Sequence, residues 1–210
     1  MFRSWKSSAA GARRLGVLPA AFNPVTIAHL AMARQAVAQY DLNEVLFLLP
    51  SVLPHKPFTG ATFEQRLEML EAALAAEPRF TIGSTDQGLF IDIARACRPV
   101  YGPEADFFFV CGRDAAERII HWDYGNGPSF GEQLAEFQML VAARAGPYQP
   151  PAAFAARIHP LEVPAEFETC SSSAARASIA AGEPWEPMVP GPVAATIRRH
   201  GLYRSFPAAL

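Results

Sequence analysis

Leu15-Gly16-Val17-Leu18-Pro19-Ala20-Ala21-Phe22-Asn23-Pro24-Val25-Thr26-Ile27-Ala28-His29-Leu30 is the stretch on which the reading of the chain turns. Its apolar run, Leu15 to Leu18, breaks at Pro19. Beyond Asn23-Pro24, Ile27, Leu30, Ala31, Val37 and Ala38 recur at roughly helical spacing, with Arg34 as the interruption. The pattern predicts a strand, a turn and a helix, with His29 in the first turns of that helix. A helix start offers backbone N–H groups without intrahelical partners and the positive end of a dipole, which suits an anion such as phosphate. Thr26 and His29 would flank such a phosphate. The plainer alternative is that His29 is a half-buried helix histidine.

Working outward, strand-like runs recur at Leu15 to Leu18, Val45 to Leu49, Phe80 to Ile82, Phe107 to Val110, Met139 to Ala142 and Ile158 to Val163, with helical patterns between most of them. This alternation predicts an α/β fold with a doubly wound, mostly parallel sheet. Asp106-Phe107-Phe108-Phe109-Val110-Cys111 has the unbroken apolar character of a strand covered on both faces. Ligands of such sheets gather at the carboxyl ends of the strands. Ser171 to Ala181 and Pro192 to His200 read as two short helices, a small C-terminal helical subdomain packed back beside that edge.

Length and composition frame the function. A chain of 210 residues, half of them hydrophobic, can bury one large core, so a single domain over residues 15–204 is expected. A formal net charge of -2 gives no general attraction to nucleic acid or anionic membranes, so a substrate phosphate must be met by a local cluster of donors. Cys97, Cys111 and Cys170 lack the paired spacing of a zinc site or a disulfide framework and read as reduced thiols of a cytoplasmic protein. No apolar run approaches the ~20 residues of a membrane helix. Residues 1–14 carry Arg3, Lys6, Arg13 and Arg14 without an acid and without a following apolar segment, so a short disordered lead is expected there. A homo-oligomer is compatible with this composition, which leaves the oligomeric state open.

Further along lie other places that could carry chemistry. Pro54-His55-Lys56 occupies a loop after the second strand, and the next helix holds Arg66, Leu67, Met69 and Leu70. Lys56 by itself reads as a solvated loop lysine; Arg66 as a phosphate ligand or a residue that only solvates its helix. Gly112-Arg113-Asp114 follows a strand directly, and Asp114 by itself reads as a cap of the next helix. Trp122 by itself reads as core. Ser171-Ser172-Ser173-Ala174-Ala175-Arg176 places hydroxyls at a helix start with an arginine in its first turns, a second phosphate-type element or a plain serine cap.

Together these elements resemble one family in one order, from about residue 15 to 204. Phe22-Asn23-Pro24-Val25-Thr26-Ile27-Ala28-His29 resembles the Phe-(Asp/Asn)-Pro turn and (His/Thr)-x-Gly-His motif of nucleotidyltransferases, with Ala28 where glycine is usual. Pro54-His55-Lys56 and Arg66-Leu67-Glu68-Met69-Leu70 resemble the Pro-His-Lys and Arg-x-x-Met-Leu elements of the nicotinate and nicotinamide mononucleotide adenylyltransferases. Gly112 to Asp114 resembles their Gly-x-Asp, and Ser171, Ser172 and Arg176 match their Ile-Ser-Ser-Thr-x-x-Arg. Val189-Pro190 through Gly201-Leu202-Tyr203 resembles their closing pattern.

The resemblance implies a Rossmann-like nucleotidyltransferase fold and adenylyl transfer from ATP, with Mg²⁺, to a pyridine mononucleotide. It implies catalytic roles for His29, Thr26, Lys56 and Arg176, and ATP contacts from Ala20, Ala21, Phe22, Asn23, Gly112, Asp114, Ser171 and Ser172. Trp122, His55 and Arg66 would contact the acceptor. No protein residues are assigned to the metal. Two departures stand out. Pro19-Ala20-Ala21 replaces Gly-Gly-(Ser/Thr), so that Pro19 has no N–H while Ala20 and Ala21 keep theirs. Gly88 to Ala94 replaces the hydroxyl-rich segment that contacts the pyridine nucleotide. Another phosphorylated acceptor, such as a phosphopantetheine or a sugar or polyol phosphate, and a nucleotide-binding regulatory protein are the alternatives.

Overall fold

The structure, a computed structural model, describes residues 2–7, 13–50, 60–143, 146 and 148–204. Its strands are β1 (Arg3–Lys6), β2 (Arg14–Pro19), β3 (Glu44–Pro50), β4 (Phe80–Thr85), β5 (Asp106–Gly112), β6 (Gln138–Ala142) and β7 (Ile158–Leu161). Its helices are α1 (Ile27–Tyr40), α2 (Phe63–Leu74), α3 (Phe90–Tyr101), α4 (Arg113–Ile120), the single turn α5 (Phe130–Gln133), α6 (Ser172–Ala181) and α7 (Gly191–His200). The strands form one sheet in the order β1-β4-β3-β2-β5-β6-β7, parallel throughout except for the antiparallel β1–β4 pair.

Alternation along each strand builds two cores. Leu18, Val45, Phe47, Leu49, Phe108, Val110 and Leu140 face α1, α2, α6 and α7, whereas Leu15, Val17, Leu46, Leu48, Phe107, Phe109, Met139 and Val141 face α3, α4 and α5. The run Phe107-Phe108-Phe109 is fully buried because each ring is taken by the opposite core from its neighbour, at about 1.5–3 kcal/mol per ring. Gly16 allows the close approach of β2 to the α1–β3 connection: a Cβ there would lie 2.9 Å from Leu42 Cδ1 and 3.0 Å from Val45 Cγ2.

The chain builds β2, β3 and β4 outward in one direction, then crosses to the other side of β2 to lay down β5, β6 and β7. The strand order therefore reverses beside β2, and the carboxyl ends of β2 and β5 open a crevice at that point. The turn quoted above leaves β2 into this crevice.

The expectation of a disordered lead is corrected at residues 3–6. β1 pairs with β4, Arg3 opposite Ser84 and Ser4 opposite Gly83. Charge alone hid the apolar pair that holds it. Trp5 donates from Nε1 to Ser84 Oγ at 2.9 Å and packs on the Phe63 ring. Phe2 covers Gly83, whose missing side chain leaves it room. Lys6 Nζ donates to the carbonyls of Leu74 and Glu77 at the C-terminus of α2, at 2.6 and 2.7 Å, where cations are favoured.

A phosphate-type turn and cleft as the candidate active site

The turn begins where β2 stops. Pro19 cannot extend the ladder, and Ala20 makes one last sheet contact, its N–H donating to Leu48 O at 3.2 Å. The expectation that Ala20 offers its amide to a ligand is thereby corrected, since that amide belongs to the sheet. Phe22 follows in the left-handed region (φ 46°), a conformation that costs a non-glycine residue about 1–2 kcal/mol. Its buried ring packs against Phe47 and edge-on to His29, with centroids 5.5 and 5.2 Å apart, and this packing holds the turn in place.

The backbone acceptors of the turn are drawn inward. Arg66 Nη1 donates to Ala21 O at 3.0 Å, Arg176 Nη1 to Asn23 O at 2.6 Å, and Ser172 Oγ to Pro24 O at 2.8 Å. The Asn23 side-chain oxygen accepts from Tyr203 Oη at 2.7 Å and from the Ala61 amide at 3.3 Å. Carbonyl lone pairs that would repel a phosphate are thus turned to donors beneath the turn, and two guanidiniums set positive charge there. Burial pulls the Arg66 and Arg176 guanidiniums below their usual range, yet an arginine remains charged.

α1 starts at the end of this turn, with Thr26 as its N-cap residue. Thr26 is 0% exposed, so it cannot touch a ligand, and the expectation that it binds phosphate is corrected. Its amide and hydroxyl instead both meet His29 Nδ1, at 3.1 and 2.7 Å. A backbone N–H can only donate, so Nδ1 is the acceptor nitrogen and the proton of the neutral ring is on Nε2. Thr26 orients the ring and sets its tautomer; the half-exposed His29 supplies the donor.

Beside α1, a cleft of about 410 Å³ including its mouth lies over the carboxyl ends of β5 and β6. Ala28 and Met32 form one wall, Gly112, Ala142 and Ala143 the floor, and Val163, Pro164, Phe167 and Glu168 the other wall. Its mostly apolar lining suits the face of a nucleobase. The methyl of Ala28, where the resembled motif has glycine, borders this space. A Cβ at Gly112 would meet nothing within 4 Å, so that floor position lies open.

Gly112, not Asp114, holds the N-cap position of α4, and Asp114 lies exposed in its first turn, so the capping alternative for Asp114 falls away. Trp122 lies just past α4 and is 36% exposed, so the core alternative falls away as well. Ser171 caps α6, its hydroxyl accepting from the Ala174 amide at 3.0 Å. The Ser172 hydroxyl proton goes to Pro24 O and is not available to a phosphate. Arg66, expected at the acceptor, is 3% exposed and serves the turn from below. His55 and Lys56 lie outside the described residues.

Gly88 to Ala94, the departure from the pyridine-contacting segment, leads into α3 as core: Phe90 stacks on Phe109 with centroids 4.3 Å apart, and Ile91, Ile93 and Ala94 are buried. Sequence reasoning did not select Tyr203, Met32, Phe167 or Glu168. Tyr203 had a signal, its place in the closing pattern; the cleft walls come from loop and helix positions whose apolar residues look like any other core.

A doubly wound sheet with a histidine-bearing helix start at its switch point defines the nucleotidyltransferase class, and residues 17–178 match the cytidylyltransferase-like family. The chain is similar to the probable nicotinate-nucleotide adenylyltransferase of Thermus thermophilus, 33% identical over 196 residues that cover 91% of this chain and 100% of the relative. It is similar also to the one from Gloeobacter violaceus, 31% identical over 203 residues, covering 90% and 96%. The chain belongs to the nicotinate-nucleotide adenylyltransferase family. Among solved structures, the fold matches the Plasmodium falciparum nicotinic acid mononucleotide adenylyltransferase complexed with NaAD, at a TM-score of 0.71 and 16% identity, covering 91% of this chain and 98% of that one.

Proposed function

We propose that the chain transfers the adenylyl group of ATP to nicotinate mononucleotide, forming the NAD-type dinucleotide and pyrophosphate. The observation that carries this reading is the pairing of His29, fixed by Thr26 with its proton on Nε2, with a turn whose carbonyls are held away from the ligand side. The 33% identity to the Thermus thermophilus relative across the whole of that protein supports the same acceptor.

In the reaction a phosphate oxygen of the mononucleotide forms a bond to the α-phosphorus of ATP as the bond to the bridging oxygen breaks and pyrophosphate leaves. No covalent enzyme intermediate is needed, so the protein's work is positioning and charge stabilisation. His29 donates to an α-phosphate oxygen, where negative charge has to be held in the transition state. Arg176, Ser171 and Lys56 serve the rest of the triphosphate. The cleft under Ala28 takes the adenosine, with Asp114 accepting from the ribose and Trp122 offering a face to the pyridine ring. Mg²⁺ would arrive on ATP as part of the substrate. Three buried free thiols suit a reducing compartment, and we assign the enzyme to the cytoplasm.

The test is pyrophosphate release from MgATP with nicotinate mononucleotide, its amide, a phosphopantetheine and sugar phosphates offered in parallel. Nicotinate mononucleotide is expected to give the highest kcat/KM. Release with a different acceptor alone, or ATP binding without turnover, overturns the proposal.

A further inference from the structure

We infer that Tyr203 is a positioning residue that sets the phosphate-type turn from the far end of the chain. The inference rests on the reading of that turn as the ATP site. Tyr203 and Asn23 are 180 residues apart in sequence and joined by a buried hydrogen bond of 2.7 Å. Gly201 ends α7 in the left-handed region, its amide returning to Arg198 O and Ile197 O, and Tyr203 is itself left-handed at φ 67°. A tyrosine in that region is strained, so the packing around it has to hold it there. The conformation aims a ring that is 5% exposed under the turn.

The geometry explains what the hydroxyl does. The Asn23 side-chain oxygen ties three segments: its own turn, the chain ahead of α2 through Ala61, and the chain after α7 through Tyr203. The Ala61 contact is the longer of the two at 3.3 Å, so the phenol is the firmer tie. With it in place Asn23 cannot rotate, its carbonyl stays on Arg176, and Phe22 stays packed on His29. Burial pushes the Tyr203 phenol well above its usual range, so it keeps its donor proton at any working pH. Because a displacement of about 1 Å can cost on the order of 100-fold in rate, a tie of this kind acts on turnover without touching substrate.

Tyr203→Phe removes the hydroxyl and keeps the ring. A control exists in the same chain: Tyr101 Oη donates to buried Glu44 at 2.9 Å, at the amino ends of the strands, away from the site. Both variants are to be compared with the full-length native protein by kcat and KM for ATP, thermal midpoint, and amide hydrogen exchange resolved over residues 20–30. Tyr203→Phe is expected to lower kcat about tenfold or more. It should also speed exchange in the turn, with native exchange in β3 and β5. Tyr101→Phe is expected to lower the thermal midpoint and leave kcat and turn exchange unchanged. Native kcat and exchange in Tyr203→Phe, or an equal loss of kcat in both variants, overturns the inference. If the native protein makes no dinucleotide, the functional reading fails, and the exchange comparison still decides whether Tyr203 sets the turn.

Discussion

The two ends of the sheet use the same device for opposite purposes. At the amino ends, the carboxylate of Glu44, 3% exposed, accepts from Thr81 Oγ1 at 2.6 Å and from Tyr101 Oη at 2.9 Å. At the carboxyl ends, Arg66, Arg176, Ser172 and Tyr203 donate to the acceptors of residues 21–24. In both places a tyrosine closes a polar cluster, half-buried at Tyr101 and buried at Tyr203. What differs is the acceptor. A carboxylate at the amino end absorbs the donors and leaves a sealed plug, whereas at the carboxyl end the acceptors are three backbone carbonyls and the Asn23 side-chain amide oxygen, none with formal charge, and the charge of the guanidiniums is left over. One cluster holds the fold; the other shapes a field.

The largest effect that would break this comparison is expected at His29. His29→Ala should reduce turnover about 100- to 1000-fold, equivalent to about 2.7–4 kcal/mol of transition-state stabilisation, with a near-native melting temperature. Native turnover in steady-state assays would remove the histidine from the chemistry. At the opposite end, Glu44→Ala strands the buried Thr81 hydroxyl and the half-buried Tyr101 hydroxyl and should cost about 2–4 kcal/mol in urea unfolding while kcat stays native. A fall in kcat there would mean that the two ends are not separable. Next comes Arg176→Ala, which should weaken ATP by about 1.5–3 kcal/mol and nicotinate mononucleotide less. Calorimetric titration of each ligand checks it, and Arg176→Lys should not restore ATP, because one ammonium cannot hold Asn23 O as Nη1 does and reach Ser173 Oγ as Nη2 does.

The smallest difference is expected between two thiols. Burial pushes Cys111, near the carboxyl end of β5, and Cys97, in the second half of α3, each up to about 12. Both should therefore resist alkylation at pH 8, and to the same degree. Selective labelling of Cys111, read by mass spectrometry of the folded protein, would show that the positive field of the turn reaches the other face of the sheet.

Much of this organisation was legible from the residues. Runs such as Phe107 to Cys111 read as strands covered on both sides, and the strand-turn-helix order around Asn23-Pro24 by itself places His29 at a helix start. What was not legible was the destination of each polar side chain. Arg66 and Ser172 look like ligands of phosphate, because a guanidinium or hydroxyl near a helix start suits either an anion or a carbonyl, and both donate to carbonyls of the turn. The choice between them depends on contacts between α2, α6 and the turn, which no local pattern encodes. Thr26 was read as a ligand for the same reason, although the fully buried residue acts through His29. β1 is not legible because its basic residues read as solvated, whereas Lys6 is spent on the carbonyls behind α2 and the strand's fit depends on a glycine about eighty positions away, Gly83.

The bond between Asn23 and Tyr203 also sets an order of events during synthesis. A ribosome makes the turn and His29 early, then lays down every strand of the sheet and α6 before residue 203 appears. A nascent chain halted after α6 would carry His29, Asp114, Trp122 and Arg176 and still lack the tie beneath Asn23. The site is written first and tightened last, so ATP affinity should mature only after Tyr203, in the segment that follows α7, has left the exit tunnel.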